Sequence, residues 1–314
     1  MSAAEPPQSA NSAPSGGSEA AKPRAWGDHT SVAEPPQSAN CAPSGGSEAA
    51  KPRAWGDHTS APLLEVSAIS KSFDGVDAVR NVSFSVAAGE IVAMIGPNGA
   101  GKTTLFNLIH GEAVSDRGDA VFDGRSLVGL PTHVIAHLGI GRTFQVAATF
   151  ASMTVRESVA LALAANRRRD RAVIGGLLTR VSADIDALLE RLRIGDLRDT
   201  HCAALAYGDA KRLELAMALA GAPKLLLMDE PTAGMSPRSR RELMQLVVDL
   251  ARGDGRTILF TEHDMDIVFG FAERVIVLDR GAIIAEGPAE EIRENRDVQA
   301  AYLGTKGGDS GAAG

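Results

Sequence analysis

Cysteine is nearly absent from the 314-residue chain, with Cys41 and Cys202 its only two. They are too few and too far apart for a disulfide framework or a cysteine-held metal cluster. They read as free thiols of a reducing compartment. Aromatic residues make up only 4%, and no apolar run approaches the ~18 residues that a spanning helix needs. The N-terminus lacks a basic start followed by an apolar stretch, so no secretion signal is expected. An excess of positive charge is missing too. A net charge of −7 argues against a protein that works mainly by neutralising nucleic-acid phosphates, so no nucleic-acid partner is expected. What is present, 44% hydrophobic and 23% charged residues, suffices for one or two globular domains with a sizeable core. Together these features predict a protein of the cytosol, or one that reaches a membrane through partners.

The first sixty residues carry a direct repeat. Ala4–Ser31 recurs as Ala33–Ser60 with a single mismatch, Ser12 against Cys41. Pro, Gly, Ser, Ala and Glu dominate both copies, and each has one Trp, Trp26 and Trp55. That is too little apolar surface to offset the entropy of ordering the backbone, so residues 1–62 are expected to form a disordered tail. His29 and His58 have no companions at metal-ligand spacing.

From Leu63 onward, short apolar runs alternate with turn residues and helical patterns, as in an α/β domain. Strands are expected at Leu63–Ile69, Val82–Val86, Glu90–Ile95, Leu225–Asp229, Thr257–Thr261 and Val275–Asp279, with a hairpin corner at Asp123-Gly124. The stretch Thr154–Leu192 reads as helical, because Ile185, Leu188, Leu189 and Leu192 fall on one face at a 3.6-residue period. The Gly- and Ala-rich residues 306–314 read as a flexible tail.

Gly96-Pro97-Asn98-Gly99-Ala100-Gly101-Lys102-Thr103 fits G-x-x-x-x-G-K-[ST] at every fixed position. It also lies where the mechanism of such a loop requires, after the apolar strand Glu90–Ile95 and before the helical run Lys102–His110. Glycines let the backbone wrap closely round phosphates, and the helix presents the positive end of its dipole to them. Lys102 would then reach the β and γ phosphates, Thr103 would offer its hydroxyl to Mg²⁺, and Thr104 would complete the loop. The second acidic element is Leu225–Glu230, an apolar strand that ends in two carboxylates. Asp229 can hold Mg²⁺ through water, while Glu230 can orient and polarise the attacking water.

With these elements the chain resembles the nucleotide-binding subunit of ATP-binding cassette (ABC) transporters over about Leu63–Gly304. Further stretches match that family in order. Phe73 stands where the family places an aromatic that stacks on adenine. Gln145, in GIGRTFQ from Gly139, matches the glutamine that touches Mg²⁺ and the water and senses the membrane partner. Leu205-Ala206-Tyr207-Gly208-Asp209 takes the place of the signature LSGGQ, ahead of a helix expected over Ala210–Ala220. Ala233-Gly234-Met235-Ser236-Pro237 looks like the D-loop, and His263 in TEHDM looks like the switch histidine that contacts the γ-phosphate. GIGRTFQ, LAYGDAKRLELAMALA, the long run from TEHDM and the ending AEEIRENRDVQAAYLG are similar to the larger ATPase of branched-chain amino acid uptake systems. Related ATPases for urea or other amides share most of these stretches.

The resemblance implies an α/β P-loop NTPase fold over 63–305, an ABC-type nucleotide-binding domain with a helical subdomain at about 150–205 and an N-terminal antiparallel β part. It implies ATP and Mg²⁺ as cofactors, with Glu230, His263 and Gln145 as catalytic residues and the signature acting in trans. One copy of each element per chain then requires a second ATPase subunit, identical or similar. The resemblance adds two transmembrane permeases, an extracytoplasmic solute-binding protein acting indirectly, and peripheral attachment to the cytoplasmic face of the membrane.

Two residues depart from the family pattern. The signature serine is Ala206 and its final glutamine is Asp209. Losing one hydrogen bond to a charged oxygen is worth ~1.5–3 kcal/mol, which tunes hydrolysis without abolishing it. Arg167, Arg168, Arg169 and Arg171 form a basic cluster suited to permease loops, acidic headgroups or plain solvent. A soluble ABC ATPase acting on DNA or ribosomes is the rival reading. No sustained heptads separate Lys102 from Leu205, however, and the chain carries one cassette rather than two.

Overall fold

A computed structural model describes residues 61–144, 149–166, 174–296 and 298–299. The duplicated N-terminal segment, Gln145, the arginine cluster and the C-terminal tail lie outside the described residues. In chain order the strands are β1 (Leu64–Phe73), β2 (Val76–Val86), β3 (Ile91–Ile95), β4 (Arg117–Phe122), β5 (Arg125–Ser126), β6 (Ile140–Thr143), β7 (Leu225–Asp229), β8 (Thr257–Thr261), β9 (Arg274–Asp279) and β10 (Ala282–Pro288). The helices are α1 (Lys102–His110), α2 (Thr132–Leu138), α3 (Val155–Asn166), α4 (Ile174–Arg191), α5 (Tyr207–Leu219), α6 (Pro237–Asp254), α7 (Met265–Phe271) and α8 (Ala289–Glu294).

Two sheets organise these elements. One has the order β2-β1-β4-β5 and its pairs are antiparallel; the other has the order β10-β9-β3-β8-β7-β6 and is parallel apart from the β10–β9 hairpin. The central strands IVAMI, LLLMD and TILFT are buried along their whole length, the pattern of parallel strands covered on both faces. Their period-2 alternation divides the core. Ile91, Ala93, Ile95, Leu226, Met228, Ile258, Phe260, Val275 and Val277 pack on one side with residues of α3, α5, α6 and α7. Val92, Met94, Leu225, Leu227, Leu259, Ile276 and Leu278 pack on the other with α1 and the antiparallel sheet.

The structure changes three expected boundaries. The first two strands are longer than the apolar runs suggest and join through Asp74-Gly75, both at positive φ (47° and 82°), a tight turn that suits the right-handed twist of a hairpin. The expected helical stretch from Thr154 contains two helices, α3 and α4. The signature helix starts at Tyr207 rather than Ala210, with Ala206 as its N-cap, so Tyr207, Gly208 and Asp209 form its first turn.

Candidate functional site

The phosphate loop leaves the end of β3 and enters α1 directly. A Cβ on Gly96 would stand 2.3 Å from the carbonyl oxygen of Leu278, and Gly101 adopts φ 102°. Neither position tolerates a side chain, which is why glycine occupies both. Asn98, Gly99 and Thr103 are exposed, Pro97 and Thr104 half-exposed, and Ala100 and Lys102 buried. Lys102 Nζ donates to the carbonyls of Gly96 (2.7 Å) and Pro97 (3.1 Å). Burial pushes its pKa down, and the negative charges of Glu230 and Asp229 pull the other way. The lysine therefore shares one electrostatic neighbourhood with both carboxylates.

Parallel pairing sets Asp229 opposite Thr261. The Thr261 hydroxyl donates to Asp229 Oδ1 at 2.7 Å and accepts the backbone N–H of Glu230 at 3.0 Å. Glu230 sits at φ 47°, a conformation a non-glycine residue holds only when its surroundings impose it. Here the N–H bond to Thr261 helps to impose it. Beyond the end of β8, His263 Nε2 lies 2.6 Å from Glu230 Oε1. Glu262, buried between them and the following turn, accepts the N–H (2.9 Å) and hydroxyl (2.6 Å) of Thr232 and the N–H of His263 (3.2 Å). The chain thus brings Lys102, Asp229, Glu230 and His263 into one cluster.

Thr261 and Glu262 lie within TEHDM and Arg142 within GIGRTFQ, but the motifs assign a role to none of the three. Arg142, buried on β6, donates through Nη2 to Asn107 Oδ1 of α1 (2.7 Å) and lies 3.8 Å from Asp229 Oδ2 and 3.1 Å from Glu112. Its guanidinium stacks on Phe144 at 5.1 Å, and His110 meets the same ring edge-on at 6.5 Å. Burial lowers the pKa of His110, against a hydrogen bond from its ring to Glu112 that raises it.

The remaining predicted residues stand apart. Phe73 is 48% exposed at the tip of the β1–β2 hairpin, with Lys71 Nζ 5.3 Å over its ring. Tyr207 of the signature donates its hydroxyl to the carbonyl of Ala233 at 2.9 Å, joining the signature turn to the D-loop of the same chain. Ala206 supplies no side-chain cap to α5, and Asp209 stands 3.8 Å from Arg212. The backbone N–H groups of Tyr207 and Gly208 lie in the unpaired first turn of that helix, a surface suited to a phosphate.

A family model described as "ABC transporter" matches residues 79–233, and one described as "Branched-chain amino acid ATP-binding cassette transporter" matches 282–307. The high-affinity branched-chain amino acid transport ATP-binding protein LivG of Salmonella typhimurium is 41% identical over 252 residues, 77% of this chain and 98% of that protein. The chain belongs to the ATP-binding subunits of ABC transporters. Solved cassettes agree in fold. An ATP-binding cassette of an ABC transporter in its ADP conformation superposes with TM-score 0.68 at 30% identity, covering 78% of this chain and 100% of that one. A dimeric bacterial ABC transporter cassette does so with TM-score 0.65 at 25% identity, covering 72% and 99%.

As an ABC ATPase the cassette binds nucleotide and hydrolyses ATP to power transport, and cassettes of this family work as dimers with transmembrane permeases. Among the described residues, no helix is long and apolar enough to cross a membrane.

Proposed function

We propose that this chain is the larger ATPase of a branched-chain amino acid importer. The single observation that carries this reading is the 41% identity that runs over 98% of LivG. The branched-chain match at 282–307 supports it. In this reading the chain pairs with a second ATPase, the pair sits on the cytoplasmic side of two permeases, and an extracytoplasmic binding protein delivers the solute.

The phosphates of ATP lie along Gly96–Thr103, with Thr104 beside them and Phe73 under the adenine. Lys102 turns from its own loop carbonyls to the β and γ phosphates. The Thr103 hydroxyl, the Asp229 carboxylate and the Gln145 amide are all oxygen donors. Among the described residues, no three His, Cys, Asp or Glu side chains converge on a cation. Such a sparse, hard donor set suits Mg²⁺, which keeps waters and phosphate oxygens as its other ligands. When bound, the ion neutralises charge on the β and γ oxygens. Glu230 orients the attacking water and takes up its proton, held in place by Thr261 and His263. Leu205–Asp209 of the partner close on the γ-phosphate through the N-terminal turn of α5. Closure and reopening move the helical subdomain, about 150–205, against the permeases.

Affinity purification of the tagged chain from detergent-solubilised membranes, followed by mass spectrometry, tests the reading. Two multi-span permeases and a second ATPase are expected; ribosomes or DNA-bound proteins without a permease would discard it.

A further inference from the structure

Among the described residues, β6 is an edge strand of the parallel sheet and pairs with β7 alone. Phe144, the next residue, meets a substitute for a second partner strand. Glu214 Oε1 accepts its backbone N–H, and Lys211 Nζ donates to its carbonyl at 2.9 Å. The two side chains bond each other at 3.2 Å and sit three residues apart on α5, the signature helix. They are 3% (Lys211) and 5% (Glu214) exposed.

Burying two charges costs several kcal/mol each, and a pair in the interior is often replaceable by apolar side chains without loss of stability. Burial raises the pKa of Glu214, against the Phe144 N–H and Lys211, which both lower it. Stability alone therefore gives little reason for this pair. Its geometry gives another: it grips one peptide unit by both its donor and its acceptor. The gripped residue presents its ring to Arg142 (5.1 Å), and Arg142 in turn approaches Asp229 (3.8 Å) and bonds Asn107 of α1 (2.7 Å).

We infer that Lys211 and Glu214 are positioning residues for ATP hydrolysis, fixing Phe144 and through it Arg142 and Asp229 relative to the signature helix. The inference rests on the proposed roles of Asp229 and the signature. Because the signature serves the partner's nucleotide and Asp229 the chain's own, the clamp makes a displacement of α5 felt at the Mg²⁺-holding carboxylate. Motion at one site of the dimer is thereby transmitted to the other through side chains of a single subunit.

The decisive variant is K211M/E214M, an apolar pair of similar bulk that keeps the helix and removes the grip. It is examined in the full-length chain, purified with its partner subunits, by kcat, KM for ATP and Tm. The expected result is a kcat lower by at least tenfold, with KM within about threefold and an unchanged Tm. Three outcomes overturn the inference: a kcat within twofold of the parent, a loss that appears in KM alone, or a fall in kcat matched by a fall in Tm. Should the double variant fail to fold, a second apolar pair, K211L/E214L, which also leaves no unpaired buried charge, decides by the same readings. An unmutated complex that does not hydrolyse ATP would contradict the proposed function instead, which keeps the two failures distinct.

Discussion

His263 Nε2 stands 2.6 Å from Glu230 Oε1, although the two residues come from the ends of different strands. When Glu230 is a carboxylate it can only accept, and the contact then uses the His263 tautomer that carries its proton on Nε2. The histidine thereby steers the residue proposed to handle the attacking water. E230Q keeps the shape of the side chain but removes its basicity. Hydrolysis should fall by ~100-fold or more while ATP binding is retained, the scale of losing a water-activating group. Steady-state turnover beside a nucleotide titration checks this, and undiminished turnover would remove Glu230 from the role.

Thr261 ties the two carboxylate-bearing residues together, its hydroxyl donating a hydrogen bond to Asp229 and accepting one from the N–H of Glu230. T261V preserves the β-branched shape and deletes both bonds. The buried Asp229 carboxylate losing its donor costs about 1–3 kcal/mol, while the half-buried Glu230 N–H keeps its 3.2 Å bond to the Thr261 carbonyl, so thermal unfolding should begin several degrees lower. Turnover should fall about tenfold, because Asp229 loses the hydroxyl that orients it and Glu230 one of the two bonds that hold its N–H. A variant with parental kcat and Tm would show that the backbone alone holds them.

Lys102 is buried among loop carbonyls and near two acids. K102A should weaken ATP affinity ten- to a hundredfold, the worth of a charge-assisted bond to phosphate. Equal nucleotide binding by parent and variant would contradict the loop assignment.

Acid should destabilise the cassette partly through His110. Burial lowers its pKa below the ordinary 6.5, so in this window the unfolded chain binds more protons than the folded one. The stability this group contributes is present above pH 6.5 and is lost as pH falls toward the lowered folded value. H110Q should narrow the drop in Tm between pH 7.5 and pH 5.5. An identical drop in parent and variant would assign the acid sensitivity to other groups.

The phosphate loop and the Asp229-Glu230 pair were legible because their chemistry is local: neighbouring residues in the chain are neighbours in the site. Thr261, Glu262 and Arg142 were not, since each acquires its role only when β8 and β6 line up beside β7. The early start of α5 was hidden for a different reason. Ala206 occupies its N-cap, and alanine carries none of the capping oxygens by which Ser, Thr, Asp or Asn announce a helix. The β1–β2 hairpin was underestimated because half of each strand faces solvent and reads as polar.

The central claim is that hydrolysis at this site drives uptake of branched-chain amino acids. The most direct test replaces the chromosomal copy by the E230Q form and follows entry of radiolabelled leucine, isoleucine and valine. Uptake that collapses in the variant while its protein level is unchanged is the predicted result. Uptake of all three at the parental rate would contradict the account.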